Sequence, residues 1–170
     1  MAITVSIFNQ VPERLALYGA IQKTNTIGID TRCSLFVILR SVDASTFNAA
    51  SSGRLRDGFG YSSAGANEIA TGNGYTKGGK ALENVRFSYS SGVLALLAND
   101  TAWTATGGSI TAKSALLCYE LPEARHFSGD IHYSSVPLAM IDFGGTETVP
   151  AGISLVLQWP ADGIFKWQLA

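Results

Sequence analysis

Short segments that alternate apolar and polar residues constrain this chain more than any other feature of its sequence. In one of them, Val85, Phe87 and Tyr89 occupy every second position. Alternate side chains of a β-strand point to opposite faces, so this spacing predicts a strand with one buried face. Similar segments recur between turn residues, and a helical period is almost absent. The pattern predicts an all-β protein: a single-domain antiparallel β-sandwich or jelly-roll-like barrel with short helical turns at most.

The predicted strands differ in how they are buried. Residues 33–39 are apolar on both faces of the expected strand, which is typical of a strand covered on both sides. Residues 138–143 are expected to form a strand that ends at Gly144. The last three strands are expected to form a meander. Trp159 and Trp167 lie on the apolar side of the alternation, so both are expected in the core.

Two parts of the single predicted domain, residues 1–170, have no strand pattern over most of their length, although Ile3, Val5 and Ile7 alternate with polar residues and predict a short strand at the start of the first. Residues 1–25 contain a possible N-terminal arm, where the spacing after Pro12 favours one or two helical turns over an extended arm. Residues 42–66 form a long loop, and loops of this length are usually functional or ordered by a partner. Its apolar side chains either anchor it to its own domain or dock on a neighbouring subunit. These candidate interface residues are Phe47, Leu55, Phe59 and Tyr61.

A turn-rich stretch, residues 67–82, is dense in glycine. Glycine adopts positive φ without the steric cost that other residues pay, so it is favoured in tight turns. We expect a structural loop here that leads into a strand. Its defining residues are Gly72, Gly74, Tyr75, Gly78 and Gly79.

The same stretch has the spacing of a phosphate-binding loop, because Gly74, Gly79 and Lys80 match the pattern G-x-x-x-x-G-K. Such a loop also needs a Ser or Thr for magnesium and a helix whose N-terminal amides face the phosphate. Here Ala81 follows the lysine, and the next residues have a strand pattern. We therefore favour a structural loop over a nucleotide site and expect no cofactor.

Several pieces of the sequence, taken in their order and spacing, resemble a family of small tailed-bacteriophage proteins. The resemblance runs from about residue 27 to the end of the chain. The pieces that carry it are Asn67-Glu68, Gly74-Tyr75-Thr76, residues 78–82, Trp103, residues 110–119, residues 141–144, residues 152–159 and Gly163-Ile164-Phe165.

Members of that family are regarded as virion structural proteins, so the resemblance implies a particle component and no catalytic residue. We expect a capsid decoration (cement) protein that binds and stabilises the assembled shell, with the major capsid protein as its partner. Its expected place is the outer surface of the virion, after assembly in the host cytoplasm. The alternative is a host-recognition module of a tail or head fibre, in which Trp103 and Tyr61 would stack on sugars.

The chain carries few charges, with 15% charged residues and a formal net charge of −1. Interface cores are depleted in charge, so we expect a homo-oligomer, and the threefold positions of an icosahedral shell favour a trimer. No cluster of Lys and Arg is present to bind phosphates, so nucleic acid is not an expected partner. The apolar runs are too short to span a bilayer, and no signal peptide is recognised, so no membrane is expected either.

Residues with catalytic or metal-binding potential are scattered. His126, Asp130 and His132 share one polar segment, where solvated histidines are commoner than metal ligands. The sequence has no Gly-x-Ser-x-Gly elbow of a serine hydrolase. We therefore expect no catalytic residue, no metal site and no enzyme.

Three other residues leave alternatives open. Asp142 lies within an apolar strand, where it is either paired or turned towards solvent. Cys33 and Cys118 lie in apolar strand-like runs and are expected to behave as small buried hydrophobic residues. The sequence leaves open whether they form a disulfide.

Overall fold

The computed structural model describes residues 4–7, 35–44, 67–120 and 135–168. These residues form ten β-strands and no α-helix, which confirms the predicted all-β class. The strands are β1 Thr4–Ile7, β2 Leu35–Arg40, β3 Lys80–Ala81, β4 Arg86–Ser90, β5 Val93–Leu97, β6 Thr101–Thr104, β7 Ile110–Glu120, β8 Ser135–Val149, β9 Ser154–Leu157 and β10 Phe165–Gln168.

The strands pair antiparallel throughout the described residues. The largest sheet has five strands in the order β1-β8-β7-β2-β3, and a second sheet has three in the order β10-β5-β4. A two-stranded ribbon consists of β6 and β9. Most neighbours in these sheets are distant in sequence, so the fold depends on non-local pairing.

One hydrophobic core joins all three sheets. Every residue of β2 is buried, as expected for a strand that is apolar on both faces. Leu96 and Phe165 contribute to this core from the three-stranded sheet, and Trp103 and Leu157 contribute from the ribbon. The small sheets therefore cover apolar surface of the large one, which gives the sandwich-like architecture.

A tight turn connects β4 to β5, as the sequence predicted. Ser90 pairs with Val93, and the two residues between them, Ser91 and Gly92, have φ values of 52° and 78°. Positive φ at both central positions is the signature of a type I′ turn, whose twist matches that of the flanking strands.

Two predictions for the C-terminal part are wrong. β8 does not end at Gly144 but continues to Val149. Gly144 has a φ of 73° and lies where the register between β7 and β8 shifts, so it belongs to a β-bulge. The half-buried Asp142 stabilises this bend, because its Oδ1 accepts the Gly144 N–H at 2.9 Å. The last three strands do not form a meander, since they belong to three different sheets.

Trp159 is only half-buried and packs against the margin of the core, so the predicted position within the core is wrong for this residue. It lies beyond the end of β9, and its N–H donates to Asp100 Oδ1 at 2.9 Å. Its indole Nε1–H donates to Thr101 Oγ1 at 3.3 Å. These polar contacts hold the ring at the edge of the core, because a tryptophan N–H needs a partner where it is partly buried.

Several predictions fall outside the described residues. They concern the part of the N-terminal arm beyond β1 with its helical turns after Pro12, the cysteine Cys33 and the polar segment with His126, Asp130 and His132. The strand position of Trp167 is described, whereas its side chain is not.

Candidate functional site

Residues 67–82, called the edge segment below, run along the outer edge of β2. At one end the Ile69 N–H donates to the Leu39 carbonyl at 3.0 Å, and at the other the Leu82 N–H donates to the Leu35 carbonyl at 2.7 Å. Between these contacts the chain leaves the sheet and returns as β3. Unpaired backbone groups at a sheet edge are a template for pairing with another chain. Here the protein covers that edge with its own sequence.

Tyr75 fills the gap that the departing chain leaves. Its side chain is 2% exposed, and its hydroxyl accepts a hydrogen bond from the Leu39 N–H at 3.1 Å. The same hydroxyl donates to Glu68 Oε1 at 2.6 Å. A buried N–H without an acceptor costs about 1–3 kcal/mol. The phenol therefore takes the place of the carbonyl that a neighbouring strand would have supplied.

Glu68 holds the turn against the sheet. Its Oε1 also accepts the Gly78 N–H at 2.6 Å, while its backbone forms a bridge with Arg40 of β2. Within the loop, Gly72 and Tyr75 exchange two backbone hydrogen bonds of 2.9 Å, which closes a two-residue turn. Hydrogen bonds to an ionised carboxylate are short and strong. One side chain thus joins both arms of the loop.

Two positions of the edge segment require glycine, because the backbone there lies close to a carbonyl group of a neighbouring strand. Gly74 has a φ of 90°, and a Cβ there would lie 2.0 Å from the carbonyl oxygen of Thr104. Gly79 has a φ of 76°, and a Cβ there would lie 2.1 Å from the carbonyl oxygen of Val37. No other residue fits at either position without moving the backbone. The other predicted loop glycines, Gly72 and Gly78, also have positive φ.

The edge segment also covers the outer edge of β6. Lys80 Nζ donates to the Ala102 carbonyl at 2.9 Å. The Tyr75 ring lies against Trp103, with ring centroids 6.3 Å apart. A single stretch of chain therefore fastens the five-stranded sheet to the two-stranded ribbon. Its lysine is placed on a strand and bonded to a carbonyl, which is the geometry of a structural loop.

Two buried ionisable groups lie close to Glu68. Burial lowers the pKa of the Arg40 guanidinium, and burial raises the pKa of the Cys118 thiol. The negative charge of Glu68 raises the Cys118 pKa further, whereas the positive charge of Arg40 opposes this. Cys118 is a free thiol and stays protonated at neutral pH, so it behaves as a buried hydrophobic residue.

The long loop predicted over residues 42–66 begins and ends at the same point of the sheet. The Ser41 N–H donates to the Asn67 carbonyl at 2.9 Å, so the chain is joined on either side of the loop. At its start the Val42 carbonyl accepts the Ser114 hydroxyl at 2.8 Å. The two ends of the loop are therefore joined at a closed base. The candidate interface residues Phe47, Leu55, Phe59 and Tyr61 lie outside the described residues.

The described residues contain no group of His, Cys, Asp and Glu placed to hold a metal ion. In the same ranges no helix is long and apolar enough to cross a membrane. No family model, curated protein or solved structure matches this chain.

Sequence reasoning identified the glycines and Tyr75 but missed the role of Glu68. Nothing in the sequence marks Glu68 as the partner of Tyr75, which lies seven residues further along the chain. A less specific signal was present in the sequence, where Glu68 precedes Gly74-Tyr75 within one turn-rich stretch. A carboxylate within a turn-rich segment can accept hydrogen bonds from the backbone N–H groups of that segment.

Proposed function

We propose that this protein is a structural component of a bacteriophage particle, namely a decoration (cement) protein bound to the outer surface of the assembled capsid. One observation carries the proposal. In the stretch most important to the phage resemblance, Glu68, Tyr75, Gly78 and Gly79 each make a contact that holds two parts of the fold together. That stretch therefore joins parts of a rigid β scaffold and supports a structural role, which is the kind of role that the resemblance implies.

The closed base of the long loop supports the same proposal. A loop whose ends are already joined can present its central residues to a neighbour without straining the sheets. A shell-binding protein needs a rigid scaffold and a segment that is free to contact the shell. In this proposal, residues 45–66 contact the major capsid protein or a second copy, and the apolar residues Phe47, Leu55, Phe59 and Tyr61 supply the contact area.

A fibre-borne host-recognition module is the alternative. It loses one of its two candidate stacking residues, because Trp103 is 5% exposed and packs against Tyr75. It retains Tyr61, and the exposed side chain of Tyr89 offers a second aromatic surface. Stacking on a sugar requires an aromatic face that is open to solvent.

Shell binding and copy number separate the two functions. Purified protein is added to particles stripped of it, and the bound amount per capsid subunit is measured by sedimentation and quantitative mass spectrometry. A cement protein binds stripped shells at a stoichiometry close to that of the capsid protein. A protein of the fibre class never sediments with stripped shells and binds whole host cells. It is present at a few dozen copies per particle at most.

A further inference from the structure

We propose that β9 is a self-pairing edge strand, at which two copies of this chain join the two ribbons into one four-stranded sheet about a twofold axis. The inference does not depend on the particle assignment, because it requires only a second copy. It rests on the open edge of β9, its sequence and the register that this sequence permits.

The outer edge of β9 is open in the part of the chain that the structure describes, where β9 pairs with β6 alone. The Ala105 N–H donates to the Ile153 carbonyl at 2.9 Å, so position 153 faces β6. Alternation along an antiparallel ladder then directs the backbone groups of Leu155 and Leu157 towards β6 as well. The outward N–H and C=O groups belong to Ser154 and Val156.

Apart from its short length of four residues, β9 lacks the features that normally prevent pairing at an edge, as far as the described residues extend. Proteins protect edge strands with lysine, proline, a bulge or covering chain. Residues 150–160 contain no charged residue, and both prolines of that range lie outside the strand. Two large apolar side chains are exposed beside the edge, Ile153 at 53% and Val156 at 42%. The backbone groups specify an extended strand as occupant, and the apolar side chains favour an apolar one.

The register identifies the occupant as the same strand of a second copy. In a twofold antiparallel pair the axis runs perpendicular to the sheet, midway between the two copies of one residue. Each residue then faces a residue whose side chain lies on the same face of the sheet. With the axis at Val156, the two Val156 side chains face each other and Ser154 faces Gln158 of the other copy. Apolar meets apolar and polar meets polar, with no charge on either strand to repel the like copy.

The interface between the two copies of β9 is small, so the dimer is weak. A pair of four-residue strands buries less than the roughly 1,200 Å² that stable interfaces begin with. The dimer is therefore concentration-dependent in solution and is favoured where copies are held close together, since tethering raises the effective concentration.

Disulfide trapping tests the register directly. The variant Val156→Cys, made with Cys33→Ser, is oxidised with diamide and its dimer is measured on a non-reducing gel. Paired residues at the axis have Cα atoms about 5.5 Å apart, within disulfide range. The matched control is Ser154→Cys on the same face of the same strand, where the two copies lie about 13 Å apart. We expect the first variant to cross-link at least tenfold faster than the second.

A charge on the edge tests the interaction without a covalent bond. Val156→Lys places two ammonium groups at the axis, and Ser88→Lys on β4 adds the same charge to an exposed position on another sheet. We expect sedimentation to show dimer formation in the wild-type protein and in Ser88→Lys, and its loss in Val156→Lys at an unchanged Tm. Equal cross-linking of the two cysteine variants would overturn the inference. So would a wild-type protein that stays monomeric up to about 1 mM, or a trimer that Val156→Lys leaves intact.

Discussion

The two long edges of the β6–β9 ribbon are finished in different ways. The β6 edge is covered by the edge segment, whose Lys80 binds the Ala102 carbonyl and whose Gly74 packs on the Thr104 carbonyl. The β9 edge carries unpaired backbone groups of Ser154 and Val156 among the described residues. Both edges belong to one ribbon, so strand propensity does not explain the difference. It depends on whether another part of the chain reaches the edge.

The covered edges are held by side chains that substitute for a strand. On β2 the Tyr75 hydroxyl, which is itself bonded to the Glu68 carboxylate, supplies the acceptor that a regular strand would provide. This cover is specific, because the hydrogen-bonding groups that it contacts have defined partners within the chain. The covered edge therefore resists pairing with other chains. The uncovered edge remains available to a partner. The edges of β2 and β6 therefore contribute to internal stability, whereas the β9 edge is the one that we propose for association.

The largest effect is expected from Gly79→Val. A Cβ at this position would lie 2.1 Å from the Val37 carbonyl oxygen, and φ is 76°, so the edge segment cannot close on β2. We expect the free energy of unfolding to fall by more than about 4 kcal/mol, which leaves the protein largely unfolded by circular dichroism and urea titration.

The matched control for this variant is Gly152→Ala, next to the open edge. Gly152 has a φ of 87° but no atom within 4 Å of the added Cβ, so only backbone strain of about 1–2 kcal/mol is expected. Equal losses in the two variants would show that φ alone matters, and that close approach to β2 does not.

The next effect is expected from Tyr75→Phe, which removes one hydroxyl and keeps the ring. The Leu39 N–H loses its acceptor and Glu68 loses a donor, so we expect a loss of about 1–3 kcal/mol in the free energy of unfolding. Tyr89→Phe is the control, because that side chain is 65% exposed and its change is expected to stay within about 0.5 kcal/mol. Urea denaturation of both variants measures the difference, and an unaffected Tyr75→Phe would contradict the role given to the hydroxyl.

Deletion of residues 51–62 is expected to change stability less than it changes association. The base of the loop stays joined through Ser41 and Asn67, so the folded part is retained. We expect a Tm close to that of the full chain, together with weaker binding to stripped shells. A collapse of the Tm would show that Leu55 and Phe59, which the deletion removes, anchor the loop to its own domain.

The smallest effect is expected from Lys80→Ala. Its ammonium makes one exposed hydrogen bond to the Ala102 carbonyl, and such a contact contributes within about 0.5 kcal/mol. Folding and particle binding should remain nearly unchanged. ATP binding by the wild-type protein that disappears in this variant, measured by calorimetry, would revive the phosphate-loop interpretation.

Much of the fold class was predictable because alternation and turn chemistry act locally. The β4–β5 turn follows from Ser91-Gly92 between an alternating segment and a short apolar run, and β2 follows from its continuous apolar run. The glycines of the edge segment were predictable for the same reason, since positive φ is a local preference. The bulge at Gly144 was missed because a glycine pair indicates a strand end as readily as a bend within a longer strand.

The sequence by itself determined where strands form, where the chain turns and which glycines adopt positive φ, because these preferences act over a few neighbouring residues. Only the tertiary structure decided which strands pair and which edges are covered. The Tyr75 hydroxyl meets the Leu39 N–H across 36 positions of sequence. Trp159 is held at the margin of the core by Asp100 and Thr101, although its alternation predicted a position within the core. Contacts between such distant residues depend on how whole sheets pack, which no local pattern specifies.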